Sequence, residues 1–534
     1  MINILPQTEV RLLKTPLEKE GNHTMTFSNI NSQTAYFLSK TIKSYSEFTY
    51  QRESASLVVG DPYDTINTCN YLMYRNNGFS NKYFYAYITK MEYISENSTR
   101  IYFEIDSLQT WYFNINYKEC FVEREHVNDD TIGLHTVPED VELGDYIDQS
   151  VTTEEQESFS GHLLNNSRPL VVVSVTQTGI SAIDTGTGRE YNGIYSGLIN
   201  ICFPNPSQAE IFILYLDSKF SETPVVSVFL APWKLCTDNL MSWDSYTDSQ
   251  HPEFSFSYKE VPYRTELTSL TTATLSKTNY LDNNYVPNNN KLLTYPYKYF
   301  LVDNNVGGCF DYKYEYFSDA NCTFNISGAL SVGCSIKARP INYNKKSGAN
   351  NLFAIDESKL PTCAYINDSY TNYLTANAVN LGLSIGTDII KLGASTVTEN
   401  PVGMAGSALS IANTVGQVYE RSKRPLQAHG GVNQGDFNYS NRVAFNVYRK
   451  SIKAEFATII DDYFSMYGYK VNNVKIPNIT GRANWNYVKT IGCNFTGDIP
   501  QEDIEKIRNL FNNGITFWHN EENFLNYSAS NGII

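Results

Sequence analysis

The alternation of apolar and polar positions predicts a β-hairpin within the first hundred or so residues. Residues 82–94 and 100–105 both alternate as pleated strands do, and they are rich in aromatic and β-branched side chains. Residues 95–98 between them have the composition of a turn, so we expect antiparallel pairing. Residues 64–74, which precede the hairpin, are predicted to form a short helix that ends at an Asn-Asn-Gly stop.

Helical periodicity returns near the end of the chain. Residues 451–467 and 500–511 carry apolar side chains three and four positions apart, and residues 515–519 follow as a predicted strand. The predicted apolar face of the first helix comprises Ile452, Phe456, Ile459, Ile460, Tyr463 and Phe464. Asp461 and Asp462 are assigned to its polar face as a hydrated surface pair.

Residues 371–419 differ from everything around them. These 49 residues contain only three charged side chains, together with six Gly and six Ala. Apolar spacings of three and four predict a helix, and Asn400 followed by Pro401 predicts the N-terminus of a second one. Residues 371–419 are therefore predicted to form a weakly apolar helical hairpin.

Two interpretations of this hairpin stay open. It is either a helical pair packed in a bundle core or a conditionally membrane-active element. The six Gly residues weaken a permanent core helix, and the near-absence of charge leaves no well-solvated face, which favours the second interpretation. A helix of about 20 residues would be long enough to cross a bilayer. The predicted membrane-active positions are Leu374, Leu381, Leu383, Ile385, Ile389, Ile390, Leu392, Val402, Leu409 and Val415, and the predicted lipid head-group contacts are Arg421, Lys423 and Arg424.

Composition limits the function classes. The chain has 534 residues, a formal net charge of −15 and 14% aromatic residues, so it is a folded protein that does not grip DNA through a basic surface. Its nine Cys are dispersed without a CxxC pair, which argues against a disulfide framework or a zinc site. No signal peptide or ordinary transmembrane helix is expected, and the thiols are expected to be reduced in a cytoplasm.

Candidate catalytic chemistry is weak. Glu123, Glu125, Asp129 and Asp130 next to His126 could supply a general acid or base, but a solvated strand end and loop is the simpler interpretation. His135 with Glu139 and Asp140 is no stronger. The abundant Tyr residues suit either sugar stacking or ordinary β-sheets. We therefore predict no enzyme, and no catalytic, cofactor-binding or metal-ligating residue.

Several stretches resemble the tail knob proteins of small short-tailed, protein-primed phages. The resemblance covers roughly residues 35–130 and 430–525. Its clearest stretches are residues 83–93, 102–111, 121–127, 453–455, 467–470, 486–488, 497–499 and 503–519, with a weaker echo at 293–297. Residues 149–290, which are rich in Ser, Thr, Asn and Asp, show no convincing correspondence.

The resemblance implies a mainly β fold with a few α-helices, in which β-barrel-type domains form a tube wall. The implied organisation is a tube domain at residues 1–148, 291–370 and 430–534, an inserted β-rich accessory domain at 149–290, and a hydrophobic plug or membrane-active loop at 371–429. The last segment matches the family in position and character.

Function and partners follow from the same resemblance. It implies a homohexamer at the distal end of the phage tail in the virion, synthesised and assembled in the host cytoplasm, that conducts genomic DNA during ejection. Other tail proteins, the exiting double-stranded DNA and the host cytoplasmic membrane are the implied contacts. A receptor-binding or cell-wall-degrading tail protein is the alternative, and Glu125→Gln with a peptidoglycan-clearing assay would separate the two.

Overall fold

The structure is a computed structural model of the chain. It describes residues 7–48, 55–159, 170–184, 189–191, 194–195, 197–222, 224–238, 241–263, 268–304, 308–328, 330, 335–343, 362–364 and 445–534.

Strands dominate the described residues, which confirms the predicted mainly β fold class. In chain order they are β1 (Thr8–Leu13), β2 (His23–Met25), β3 (Thr41–Phe48), β4 (Ser56–Val59), β5 (Tyr71–Arg75), β6 (Tyr83–Ser95), β7 (Ser98–Ile105), β8 (Asn116–Tyr117), β9 (Cys120–Glu125), β10 (Tyr146–Gln149), β11 (Leu170–Val175), β12 (Glu190–Tyr191), β13 (Ile194–Tyr195), β14 (Ile199–Phe203), β15 (Val225–Ala231), β16 (Asp244–Thr247), β17 (Ser255–Glu260), β18 (Thr268–Ser276), β19 (Lys298–Asp303), β20 (Cys309–Tyr312), β21 (Asn321–Gly328), β22 (Ser335–Pro340), β23 (Thr362–Ala364), β24 (Asn446–Ile452), β25 (Tyr469–Lys475), β26 (Trp485–Ile491), β27 (Phe495–Thr496) and β28 (Ile515–Trp518).

The described helices are fewer. They are α1 (Ile30–Ser39), α2 (Tyr63–Ile66), α3 (Ser107–Trp111), α4 (Thr153–Phe159), α5 (Ser181–Asp184), α6 (Pro206–Lys219), α7 (Trp233–Cys236), α8 (Ala454–Tyr467) and α9 (Gln501–Asn513). The chain divides into two compact units. Unit 1 contains Met1–Leu143, Pro287–Leu292 and Glu455–Ile534, and unit 2 contains Gly144–Val286 and Leu293–Ala454.

One sheet of unit 1 has the order β3-β1-β5-β6-β7-β4. The predicted hairpin is its β6–β7 pair, with Met91 opposite Ile101, which confirms that prediction. The predicted helix at 64–74 is wrong. A single helical turn, α2, is followed by β5, whose Tyr71 and Leu72 are fully buried. A strand buried on both faces lacks the alternation that identifies a strand, so periodicity could not separate it from a helix.

The second large sheet of unit 1 brings together segments far apart in sequence, in the order β2-β28-β26-β9-β25. Helix α9 packs against this sheet with Ile507 and Phe511 fully buried beside Val488. Helices α8 and α9 and strand β28 confirm the helical and strand predictions for the C-terminal part, within a few residues at their ends.

Unit 2 is built from three larger antiparallel sheets. Their strand orders are β10-β24-β19-β20, β15-β11-β14-β17-β16 and β18-β21-β22-β23. Strand β11 is buried along its whole length, and α6 packs against its sheet. Strand β24 lies between β10 and β19, so it is an interior strand with a ladder on each side.

Candidate functional site

The predicted plug, residues 371–429, lies outside the described residues. So do all ten predicted membrane-active positions and the predicted head-group contacts Arg421, Lys423 and Arg424. The structure does describe what precedes and follows it. Strand β23 pairs with β22, with Thr362 opposite Lys337, and β24 follows at Asn446. Residues 365–444 therefore connect a strand of one sheet of unit 2 to a strand of another sheet of the same unit.

The returning end is held by the side chain of Gln156. Phe445 is fully buried, and its carbonyl accepts a hydrogen bond of 2.7 Å from Gln156 Nε2. Gln156 Oε1 accepts in turn from the backbone N–H of Val447 at 3.1 Å. One amide thus satisfies two backbone groups at the start of β24, in the manner of a neighbouring strand.

Arg449 fixes the middle of the same strand. Its side chain is 4% exposed, and it donates to the Ser150 carbonyl at 2.6 Å and to the Ser276 carbonyl at 3.3 Å. It also forms an ion pair with Glu155 of α4. Burial alone would raise the pKa of Glu155, but hydrogen bonds from Ser276 and Thr152 and the charge of Arg449 hold it below its usual value. We call Gln156, Glu155 and Arg449 the β24 clamp.

Residues 123–130, which carry the candidate catalytic carboxylates, are only partly exposed to solvent. Asp129 is exposed, as expected, but the interpretation as a solvated strand end is wrong for Glu125 and His126, which are buried. Glu125 pairs with Lys475 and accepts from the backbone N–H of Asn478 at 2.9 Å. Both of its oxygens are therefore engaged by groups of the same unit.

His126 is neutral and engaged through both ring nitrogens. Nδ1 accepts from the backbone N–H of Tyr487 at 2.8 Å, so Nε2 carries the proton and donates to the Ser465 carbonyl at 3.1 Å. Burial, with the charge of Arg482 as a smaller cause, lowers the pKa of His126 to about 3. This histidine is a structural bridge between β9, α8 and β26.

Three further carboxylates hold the short segment Pro287–Leu292 within unit 1. Asp130 accepts from the backbone N–H of Asn290 at 3.0 Å, and Glu139 pairs with Lys291. Asp461 accepts from the backbone N–H groups of Asn288 at 2.8 Å and Asn289 at 3.0 Å. We call Pro287–Leu292 the strap.

The predicted place of Asp461 on the hydrated polar face of its helix is wrong. Asp461 is 1% exposed, whereas Ile459, assigned to the apolar face, is 67% exposed. The helical spacing indicates this burial, since Asp461 lies four residues after Ala457 and three before Phe464, both buried.

Within the described ranges, no three His, Cys, Asp or Glu side chains are arranged to hold a metal ion. The described helices also include none that is both long and apolar enough to cross a membrane.

Comparison with known proteins relates this architecture to a phage family. The family model described as the C-terminal domain of Bacillus phage phi29 tail knob protein gp9 matches residues 260–532, more than half of the chain. The chain belongs to this tail knob family. A second model, the N-terminus of the caudoviral major tail protein, matches residues 6–116. This tail knob chain is therefore a structural component of a phage tail.

Individual relatives cover nearly the whole tail knob chain. Tail knob protein gp9 of Bacillus phage PZA is 28% identical over 610 residues, with 99% of each chain covered. Its counterpart from Bacillus phage phi29 is 27% identical with the same coverage. The solved structure of the bacteriophage C1 tail knob protein gp12 superposes with a TM-score of 0.57 at 13% identity, covering 99% of this chain and 100% of the other. That likeness shows the shared fold.

Proposed function

We propose that this tail knob chain forms a homohexameric tube that conducts double-stranded genomic DNA during ejection, and that residues 371–429 close the tube beforehand and enter the host membrane. The observation that carries the proposal is the anchoring of this segment's flanks. Strand β23 and the β24 clamp tie both ends into sheets of unit 2. A segment tethered in this way can change position while the folded units stay intact.

The charge of the chain supports a conduit. Each copy contributes a formal net charge of −15. Proteins that neutralise many phosphates bind DNA tightly and in a salt-dependent manner, whereas a channel must let DNA slide. An acidic wall makes few attractive phosphate contacts, so it opposes retention of the passing genome.

The composition of residues 371–429 supports the plug and membrane roles. Apolar positions from Leu374 to Val415 would line the closed channel and later contact lipid, and Arg421, Lys423 and Arg424 would meet anionic head groups. Residues 1–148, 291–370 and 430–534 would supply the tube wall, and 149–290 an accessory region. No catalytic step is part of the proposal, because Glu125 and His126 are buried and committed to structural partners.

The experiment is negative-stain electron microscopy of the purified full chain, with mass measured by light scattering on the same sample. We expect six-fold rings with a central channel that is closed in the intact chain and open when residues 371–419 are replaced by a short Gly-Ser linker. A monodisperse monomer across a range of salt and pH would contradict the tube.

Dye release from vesicles tests the membrane role separately. Vesicles containing phosphatidylglycerol should leak with the intact chain and stay sealed with the linker variant. Neutralising Arg421, Lys423 and Arg424 to Gln should reduce release, while the control K506Q/R508Q, which removes two surface cations of α9, should not. Equal release by the intact chain and the linker variant would contradict membrane entry and leave the ring result unaffected.

A further inference from the structure

A cavity of about 370 Å³ lies in unit 1 beside strand β25, and the proposed tube and plug assign no role to it. Residues 127–137, which follow β9, form one wall, and β25 forms the other. Asn128 and Asn473 line the cavity and are exposed, so it is open to solvent. Its volume falls at the lower end of the range for small-molecule sites, which suits a ligand the size of one ring.

The wall formed by β25 contains a β-bulge. The ladder between β25 and β9 shifts register between Lys470 and Asn473, so that two residues of β25 oppose one residue of β9. Asn472 within the bulge has a φ of 45°, a left-handed conformation that Asn adopts more readily than most residues. Val471 and Asn473, on either side of it, both line the cavity. Bulges of this kind redirect side chains and are common beside binding sites.

Hydrogen bonds hold the opposite wall in place. The carboxylate of Asp129 accepts from the backbone N–H of Thr131 at 2.9 Å and from its hydroxyl at 2.6 Å. The Asp129 carbonyl accepts from His135 Nε2 at 2.6 Å. Asn128 Oδ1 accepts from Asn478 Nδ2, also at 2.6 Å. This wall is therefore formed in advance, and a ligand would not have to order it.

The charges that line the cavity are already neutralised. Lys475 pairs with the buried Glu125, and Lys470 pairs with Asp140 at 2.9 Å. The carboxylate of Asp129 is bonded within its own turn. An anionic ligand is held by cations that are available to it, and a cationic ligand needs an available carboxylate. The lining therefore favours an uncharged ligand.

The uncharged polar side chains suit a ligand with many hydroxyl groups, because a hydroxyl both donates and accepts. His135 Nε2 carries a proton, so Nδ1 of the neutral ring is an acceptor. Asn128 offers its Nδ2 donor, and the amide of Asn473 can donate and accept. The apolar part of the lining consists of Val127, Leu134, Val137 and Val471. A sugar ring matches this mixture, since it presents C–H groups as well as hydroxyls.

We propose that this cavity binds one neutral sugar ring of a glycan, of the hexose or N-acetylhexosamine class. Asn128, His135 and Asn473 hydrogen-bond to its hydroxyl groups, and the valine and leucine side chains pack against its C–H groups. The site involves residues of unit 1 alone. Its test is therefore independent of whether the chain forms a tube.

The test is saturation-transfer difference NMR on the intact chain with three neutral probes: methyl glucoside, N-acetylglucosamine and N-acetylgalactosamine. We expect saturable binding of at least one of them with a Kd on the order of 1 mM, because the contacts are few. Glucose 6-phosphate tests for an anion site, and cyclohexanol tests for simple apolar binding. Saturable binding of none of the three sugars, or binding of either comparison compound as tight as that of the best sugar, would overturn the proposal.

Variants assign the binding to this cavity. N473A removes one exposed amide and should weaken sugar binding about fivefold, the equivalent of one lost hydrogen bond. V137F places a larger side chain in the cavity and should abolish binding. The matched control is N116A, which removes an exposed strand amide elsewhere in unit 1 and should leave the Kd unchanged. Circular dichroism and melting temperature check that each variant folds. A Kd unaltered by N473A would overturn the assignment, even if V137F failed to fold.

Discussion

At the residue scale, His126 should make the stability of unit 1 depend on acid. Its pKa is lowered to about 3 in the folded chain, from 6.5 for an unperturbed histidine. The neutral form is therefore favoured on folding, and this contribution is fully present above pH 6.5 and is lost as the pH falls toward 3. The loss is about 1.4 kcal/mol per pH unit in that window.

Urea unfolding of wild type and H126Q between pH 7 and pH 4 measures this effect. Gln offers an acceptor for the N–H of Tyr487 and a donor for the Ser465 carbonyl but does not titrate. The free energies of unfolding should therefore converge as the pH falls. Parallel pH profiles for the two proteins would show that His126 is not buried in its neutral form.

A second residue-scale prediction concerns Asp461 and the strap. D461A removes the acceptor for the backbone N–H groups of Asn288 and Asn289. Asn289 is buried, and leaving its donors unsatisfied costs about 1–3 kcal/mol, so the free energy of unfolding should drop by about 2–3 kcal/mol, with faster hydrogen exchange at residues 288 and 289. The neighbouring Asp462 is exposed, and D462A is the matched control with a change near zero. Equal effects of the two variants would contradict the role of Asp461.

Three side chains show why the burial of polar residues could not be predicted from the sequence. Glu125, His126 and Asp461 each look like surface polar residues, because their partners come from distant segments. Glu125 pairs with Lys475, His126 bonds to Tyr487, and Asp461 binds Asn288. Local patterns report burial of apolar residues, but they carry no information about a polar residue whose partner is hundreds of positions away.

At the element scale, the β24 clamp should dominate the stability of its strand. R449M leaves the carboxylate of Glu155 without its buried cation, and removing one partner of a buried ion pair costs about 3–5 kcal/mol. The adjacent Lys450 pairs with Asp148 at 2.5 Å, but Asp148 is 48% exposed, so K450M should cost about 1 kcal/mol or less.

Urea unfolding and hydrogen exchange of β24 compare these two neighbouring changes in one strand. Faster exchange at Val447 is expected in R449M and not in K450M. Similar losses of unfolding free energy in both variants would mean that strand pairing alone fixes the chain where it re-enters unit 2 after residue 444. The β24 clamp would then add nothing to the stability of the strand.

Elements with strong local signals were predictable, and their partners were not. The β6–β7 hairpin and helices α8 and α9 follow from periodicity and turn composition. The helix predicted over residues 64–74 is wrong because strand β5 is buried on both faces and therefore lacks alternation. No local pattern reveals that β9 pairs with β25 and β26, since the ladder depends on how the whole chain returns to unit 1.

At the scale of the whole molecule, the chain passes between the two units four times, after Leu143, Val286, Leu292 and Ala454. The organisation predicted from the sequence has boundaries at residues 149 and 290, whereas the chain passes between the compact units after Leu143 and on both sides of the strap. Composition did not indicate that residues 144–286 share a compact unit with residues 293–454. Two of the three larger sheets of unit 2 combine strands from both segments, since β10 joins β24, β19 and β20, and β18 joins β21, β22 and β23.

The net charge leads to the last prediction, which concerns the whole assembly and DNA. Because each copy carries −15, double-stranded DNA should bind no more tightly than about 10⁻⁴ M near physiological salt, with an affinity that changes little between 50 and 200 mM salt. Fluorescence anisotropy with a short labelled duplex measures both quantities. Tighter binding with a steep salt dependence would reveal basic groups gathered along the path of the DNA. Many phosphate contacts, favoured by counterion release, would then hold the genome. The proposed tube would slow ejection instead of letting DNA slide.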